Sequence, residues 1–194
     1  MTPDQGLRYE LAGVIGAEAV LVTLAMAHPA AGVVPLAVTG LALLPVTGVL
    51  AAEVTPASLC VLGMGVLPGG SPHAARRREE WLTGPESGFE VLTPGLVALV
   101  EAGSVRGPLA YVEADYLGIE GRQASAVWRS GTLVSGPLLL GRQEEFVSAT
   151  APISVALRAL GVVGVGRRDE FVVAGLGRHR RTADWVVADR GAGS

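Results

Sequence analysis

The sequence lacks several residue types on which common functional sites depend. It has one cysteine, Cys60, and all 15 of its basic residues are arginine, because neither lysine nor asparagine occurs in the 194 residues. One cysteine excludes an internal disulfide and a cysteine-rich metal site. Without lysine the phosphate-binding loop GxxxxGK[ST] cannot occur, and the nucleophile motif GxSxG and a strand-to-helix GxGxxG are also missing. We therefore expect no cofactor and no metal.

Charge and aromatic content are also low. Charged residues make up 17% of the chain, aromatic residues 5% and hydrophobic residues 49%, with a net charge of -3. This composition supports one sizeable core, so we expect a single domain over residues 1–194. The small net charge gives no field that favours nucleic acid. With a single cysteine, the cytoplasm is the simplest predicted location.

The least charged part of the chain, Leu11 to Ala52, raises the alternative of a membrane-associated protein anchored by this segment. Glu18 and His28 are its only ionisable residues. Glu18 lies near the middle of the first possible span, and the second span lacks basic or aromatic anchors at its end. We therefore favour a helix at Glu18–Ala27 and short strands at Val33–Ala37 and Gly40–Val46.

Turn and cap residues organise the second half of the chain. Thr93-Pro94 and Thr150 with Pro152 predict helices that end at Gly103 and Gly161, and a third short helix is expected at Asp169–Ala174. Phe89–Leu92 has the pattern of a strand, and Pro68–Pro85, rich in glycine, proline and charge, predicts an internal surface linker. These elements indicate an α+β fold with a mainly antiparallel sheet covered by short helices.

The segment Gly107–Leu138 predicts a β-hairpin with alternating side chains and a two-residue turn at Ser130-Gly131. Side chains alternate along a strand, so Leu109, Tyr111, Glu113 and Asp115 share one face. The two neighbouring carboxylates, together with His179, are the candidates for a catalytic or metal site. The more ordinary interpretation is a solvated strand face that pairs with Arg122 or Arg129 across the ladder.

The tail from Asp169 to Trp185 is the predicted partner-binding surface. Two large aromatic residues lie there among arginines, which are frequent interface anchors. The predicted contact residues are Phe171, Arg178, Arg180, Arg181 and Trp185. The alternative is that the two aromatic residues seal the core. Interleaved acidic residues and the absence of a recognition motif disfavour nucleic acid as the partner.

Three segments, VEADYLGIEGRQASAVW, PISVALRALGV and the tail from DEF to GLGRHRRTADW, carry a resemblance that covers about the C-terminal half of the chain. Together they resemble a family of uncharacterised small proteins of actinobacteria. The resemblance implies that hairpin, helix and tail form one cooperating unit, and it implies no activity.

These observations favour a soluble, non-enzymatic protein-binding module with an immunity-like or regulatory role. No nucleophile, metal or nucleotide motif is present, and a small domain that is this apolar, with few aromatic residues, is expected to bury surface in an interface. The alternatives are a small enzyme or metal-binding protein that uses the acidic face of the hairpin, and the membrane-associated protein described above.

Overall fold

One antiparallel sheet organises the computed structural model, which describes residues 8–54, 80–118 and 120–191. The strands are β1 (Arg8–Ala17), β2 (Val34–Pro35), β3 (Leu41–Pro45), β4 (Leu109–Leu117), β5 (Glu120–Arg129) and β6 (Thr132–Leu140). They lie in the order β2-β3-β1-β4-β5-β6, and each neighbouring pair is antiparallel.

Short helices accompany this sheet. Those whose bounds lie in the described residues are α1 (Glu18–Ala25), α2 (Gly48–Glu53), α3 (Pro94–Gly103), α4 (Pro152–Ala159), α5 (Glu170–Ala174) and α6 (Thr182–Gly191), with 3-10 turns at Pro85–Ser87 and Leu176–Arg178. The predicted α+β class is therefore confirmed.

The two faces of the sheet carry two separate cores, because side chains along each strand alternate in direction. The first core contains strand residues such as Val14, Tyr111 and Trp128, and α1, α2 and α3 cover it. The second core contains Ile15 and Val112, and residues of α4, α5 and α6 cover it. Both faces of the central strands are thus buried.

The hairpin prediction is confirmed and extends to a three-stranded meander. Leu109 of β4 lies opposite Trp128 of β5, and the chain turns into β6 at Ser130-Gly131. Ser130 and Gly131 have φ angles of 52° and 74°, the left-handed pair that a tight two-residue turn requires.

The predicted helix starts are largely confirmed. The Thr93 hydroxyl accepts a hydrogen bond from the Leu96 amide at 3.3 Å, and the Asp169 carboxylate accepts one from the Val172 amide at 2.9 Å. In α4, by contrast, Ala151 occupies the cap position, and the Thr150 hydroxyl donates to the Val147 carbonyl instead.

The apolar segment Leu11–Ala52 folds into β1, β2 and β3 with α1 and most of α2. None of the helices in the described ranges has both the length and the apolar character to span a membrane.

One prediction beside the linker is wrong, and the linker itself is only partly described. Phe89–Leu92 is not a strand. Its amides at positions 90–92 donate to the Glu113 side chain and not to a neighbouring strand. Within the predicted linker Pro68–Pro85, residues 68–79 lie outside the described residues. Leu82, in the remainder, is fully buried in the first core, whereas Trp81 is exposed.

Two places where the sheet could pair with another strand are short or covered. β2, at one edge, is two residues long and contains Pro35, which has no N–H. The first half of β1 extends past β3, and there the amides of Glu10 and Ala12 donate to the Arg180 carbonyl (2.7 Å) and the Thr182 hydroxyl (2.9 Å). The tail therefore covers part of a strand that would otherwise be open.

Candidate functional site

The Glu113 carboxylate is the most heavily hydrogen-bonded side chain of the hairpin. Its side chain points to the face of the sheet that carries the first core, and it is 3% exposed. Oε2 accepts from the Glu90 amide at 2.7 Å, and Oε1 accepts from the Val91 and Leu92 amides at 2.9 and 3.0 Å. A buried carboxylate is stable only with such partners, so this group anchors the 90–92 segment to β4.

Tyr111 and Arg122 complete the surroundings of Glu113. The Tyr111 hydroxyl donates to Oε1 at 2.8 Å, while the Arg122 guanidinium lies 3.8 Å from Oε2 and 2.8 Å from the Glu90 carboxylate. Burial, with the nearby Glu113 charge and this hydrogen bond, raises the pKa of Tyr111 well above its ordinary value. Tyr111 thus stays a hydrogen-bond donor, and the cluster is a structural anchor.

Asp115 has a different role on the same strand face. Its side chain is 18% exposed and bonds to Arg8 at 3.2 Å and to Arg142 at 3.0 Å. It lies directly opposite Arg122 in the ladder between β4 and β5. The shared face of the two carboxylates is as predicted, but the expectation that both are solvated is wrong, because Glu113 is buried.

His179 lies away from these carboxylates. Its ring meets Trp185 edge-on at 4.7 Å between centroids, and Trp185 belongs to the second core on the opposite face of the sheet. The structure therefore does not bring Glu113, Asp115 and His179 together in one site. In the described part of the chain, no group of three or more histidine, cysteine or acidic side chains could hold a metal ion.

The aromatic residues of the tail pack inward. Trp185 is fully buried in the second core, and Phe171 is half-buried against Tyr9, with ring centroids 5.7 Å apart. Arg178 lies 5.0 Å from the Trp185 ring centre and donates to the Pro35 carbonyl at 2.6 Å. The prediction that Trp185 anchors a partner is wrong for this arrangement, because its side chain has no exposed surface.

Arg180 and Arg181 are exposed beside the start of α6. The Arg180 backbone carbonyl is held by β1, as described above. On the tail surface that was predicted from sequence, the arginine side chains are therefore exposed, but Trp185 is not.

The ion pair between Arg158 and Glu170 joins α4 to α5, with a separation of 3.1 Å. Burial favours the neutral carboxyl, yet a hydrogen bond from its own backbone amide and the Arg158 guanidinium together hold the pKa of Glu170 below its ordinary 4.5. The contribution of this ion pair to stability is complete above pH 4.5 and is lost as the pH falls through the lowered pKa of Glu170.

We therefore expect the unfolding free energies of the parent and of Glu170→Gln to converge as the pH is lowered below 4.5. Urea denaturation across that range measures the difference. A difference that stays constant with pH would contradict the assignment of this ion pair.

The outer edge of β6 is the feature that sequence reasoning missed. β6 has nine residues, TLVSGPLLL, without a charged side chain, and it pairs with β5 on its inner side. Among the described residues, no backbone group of β6 bonds to anything beyond β5. Val134 and Leu139 on this strand are 55% and 50% exposed.

Apolar exposure continues past the end of β6. Phe146 and Val147, in the segment before α4, are 49% and 46% exposed. A long apolar edge strand is a template for pairing with another strand, and proteins usually shield such edges with charge or cover. The run of leucines at 138–140 marks an apolar strand in the sequence, but the strand order that makes β6 an edge has no such local signal.

Comparison of the chain with family models, with curated proteins and with solved structures finds no match. The resemblance of the C-terminal half to small actinobacterial proteins therefore stays a prediction.

Proposed function

We propose that this chain is a non-enzymatic, cytoplasmic protein-binding module whose contact surface is the outer edge of β6. The observation that carries the proposal is a nine-residue, uncharged edge strand with exposed Val134 and Leu139 in a sheet that is covered on both faces. Free backbone donors and acceptors in a row bind an extended segment of another chain by strand addition.

The rest of the molecule supports this assignment. Glu113 has its carboxylate oxygens directed at backbone amides and at Tyr111, so it is a poor candidate for a proton-transfer group. A depression of about 320 Å³ at one end of the sheet is lined by residues such as Val38, Thr39 and Leu160, and none of the described residues that line it is ionisable. An immunity-like or regulatory role is one setting for such a module.

Affinity capture from the native host tests the proposal. We expect Val134→Lys to lose a partner that the parent captures reproducibly, because a buried lysine would lie at the edge contact. The matched control is Val49→Lys, a change at a 70% exposed position of α2 on another part of the surface.

The outcome separates the β6 edge from the tail. If Val134→Lys keeps every partner while Arg181→Gln loses one, the binding surface is the tail, and the assignment to β6 is wrong. Thermal midpoints of all variants close to that of the parent show that the fold is intact in each comparison.

A further inference from the structure

We propose that the strand that binds the outer edge of β6 is β6 of a second copy of this chain, so that two sheets join across a twofold axis into one continuous antiparallel sheet. This inference rests on the proposed function and names the partner of the same edge. Closed twofold assemblies are the commonest state of soluble homo-oligomers, and their interface must be complementary to itself.

The side chains of β6 satisfy that requirement. In an antiparallel pairing centred on Gly136, Leu133 lies opposite the partner's Leu139. Leu133 pairs with Trp128 and Leu139 pairs with Ala124, and both of these β5 residues belong to the same set of alternating side chains. Residues directly opposite each other share a face, so the two leucines meet on the face that carries the first core.

The other face is matched in the same way. Thr132 and Leu140 lie opposite Arg129 and Gln123 of β5, two positions of equal parity, so both point to the face of the second core. The same register places Thr132 opposite the partner's Leu140. A twofold axis perpendicular to the sheet keeps each face continuous, and this register therefore buries apolar side chains on both sides.

Pro137 limits the pairing without preventing it. Proline has no backbone N–H, and β6 has irregular register where Ser135 and Leu138 flank the Gly136-Pro137 pair. On either side of it, at 132–135 and 138–140, the backbone groups that point away from β5 are the ones that can pair with a second strand. The centre of the interface is thus a pair of short ladders rather than one long ladder.

Charge is compatible with self-pairing. β6 contains no charged residue, so no like charges meet along the strand. The antiparallel arrangement brings the end that carries exposed Arg129 towards the partner's end, where Glu144 and Glu145 are exposed. Arg142 at that end is already paired with Asp115 at 3.0 Å, and the bonds of Arg129 to the Ala159 carbonyl and of Glu144 to the Gly141 amide neutralise neither charge, so opposite charges approach each other across the pairing.

Sedimentation equilibrium of the purified full chain tests the inference. We expect the parent to approach twice its 19.8 kDa monomer mass as its concentration is raised. Val134→Lys and Leu139→Lys should each stay at the monomer mass with thermal midpoints near that of the monomeric parent, because each places a lysine in the pairing edge. Val49→Lys, away from the edge, should dimerise like the parent.

Each outcome decides the inference. A parent that stays monomeric at every concentration overturns self-pairing. In that case the proposed function is still supported if Val134→Lys loses a captured partner. If the variant loses no partner, the proposed function is wrong as well. A dimer that persists in both folded lysine variants shows that copies meet elsewhere. Two lysine variants are used because Leu139 also lies against Gly88, whereas Val134 offers an independent test.

Discussion

Replacing Glu113 with alanine is expected to lower the free energy of unfolding by about 3–5 kcal/mol, the range for removing one partner from a buried charged network. The change removes the acceptor of three backbone amides at 90–92 and of the Tyr111 hydroxyl; the bonds of the Leu92 amide and the Tyr111 hydroxyl are buried, and the other two are partly buried. Donors that are buried without an acceptor lose their water and gain nothing in exchange. Urea denaturation monitored by circular dichroism measures the loss.

Two variants give the controls for this experiment. Glu113→Gln keeps one acceptor oxygen and is expected to lose less than Glu113→Ala. Asp115→Ala, two residues along the same strand face, removes two ion pairs with the exposed Arg8 and Arg142 and is expected to lose about 1 kcal/mol or less. Equal small losses in Glu113→Ala and Asp115→Ala would show that Glu113 is a solvated strand residue, as the sequence alone suggests.

Replacing Trp185 with alanine is expected to destabilise the protein by about 3–5 kcal/mol, the usual effect of removing a large aromatic side chain from a core. Trp185 is fully buried among residues of the second core, and Arg178 and His179 pack against its ring. The change leaves a cavity between the tail and the sheet. Denaturation followed by circular dichroism avoids the fluorescence of the tryptophan that is removed.

Trp81→Ala is the matched control, because Trp81 is 52% exposed. A change at such a surface position is expected to stay within about 0.5 kcal/mol. If Trp185→Ala also changed stability by so little and instead lost a binding partner, Trp185 would be an interface anchor, and its placement in the core would be wrong.

Local chemistry made much of this fold predictable. Ser130-Gly131 can adopt the left-handed turn at low cost, and Thr93-Pro94 combines a cap with a proline that suits the first helical turn. Asp169 likewise marks the start of α5. At such positions the conformation depends on a few adjacent residues, so the sequence pattern is sufficient.

The errors occur where a long-range contact decides the structure. Phe89–Leu92 has strand-like alternation, but its amides are held by the Glu113 carboxylate more than twenty positions away. A signal for the burial of Glu113 was present: β4 is apolar on both sides of it, which is typical of a strand covered on both faces. A carboxylate in such a strand requires buried partners.

The candidate surface was harder to predict than the core. The order of strands in the sheet determines that β6 is an edge, and that order follows from pairings between distant segments such as β1 and β4. Trp185 and Phe171 were predicted to lie on a binding surface, whereas the structure packs them against the second core. Large aromatic residues occur both at interfaces and in cores, so their identity alone did not establish which role they have.

Hydrogen exchange at β6 most directly tests the claim that this edge is the binding surface. Peptides covering Thr132–Leu140 are compared between the monomer and the bound state, whether the bound partner is a second copy or a captured protein. Backbone pairing protects amides from exchange, so slower exchange is expected in this strand on binding, with little change in the tail at 178–181. Unchanged exchange across Thr132–Leu140, with protection appearing in the tail, would contradict the account.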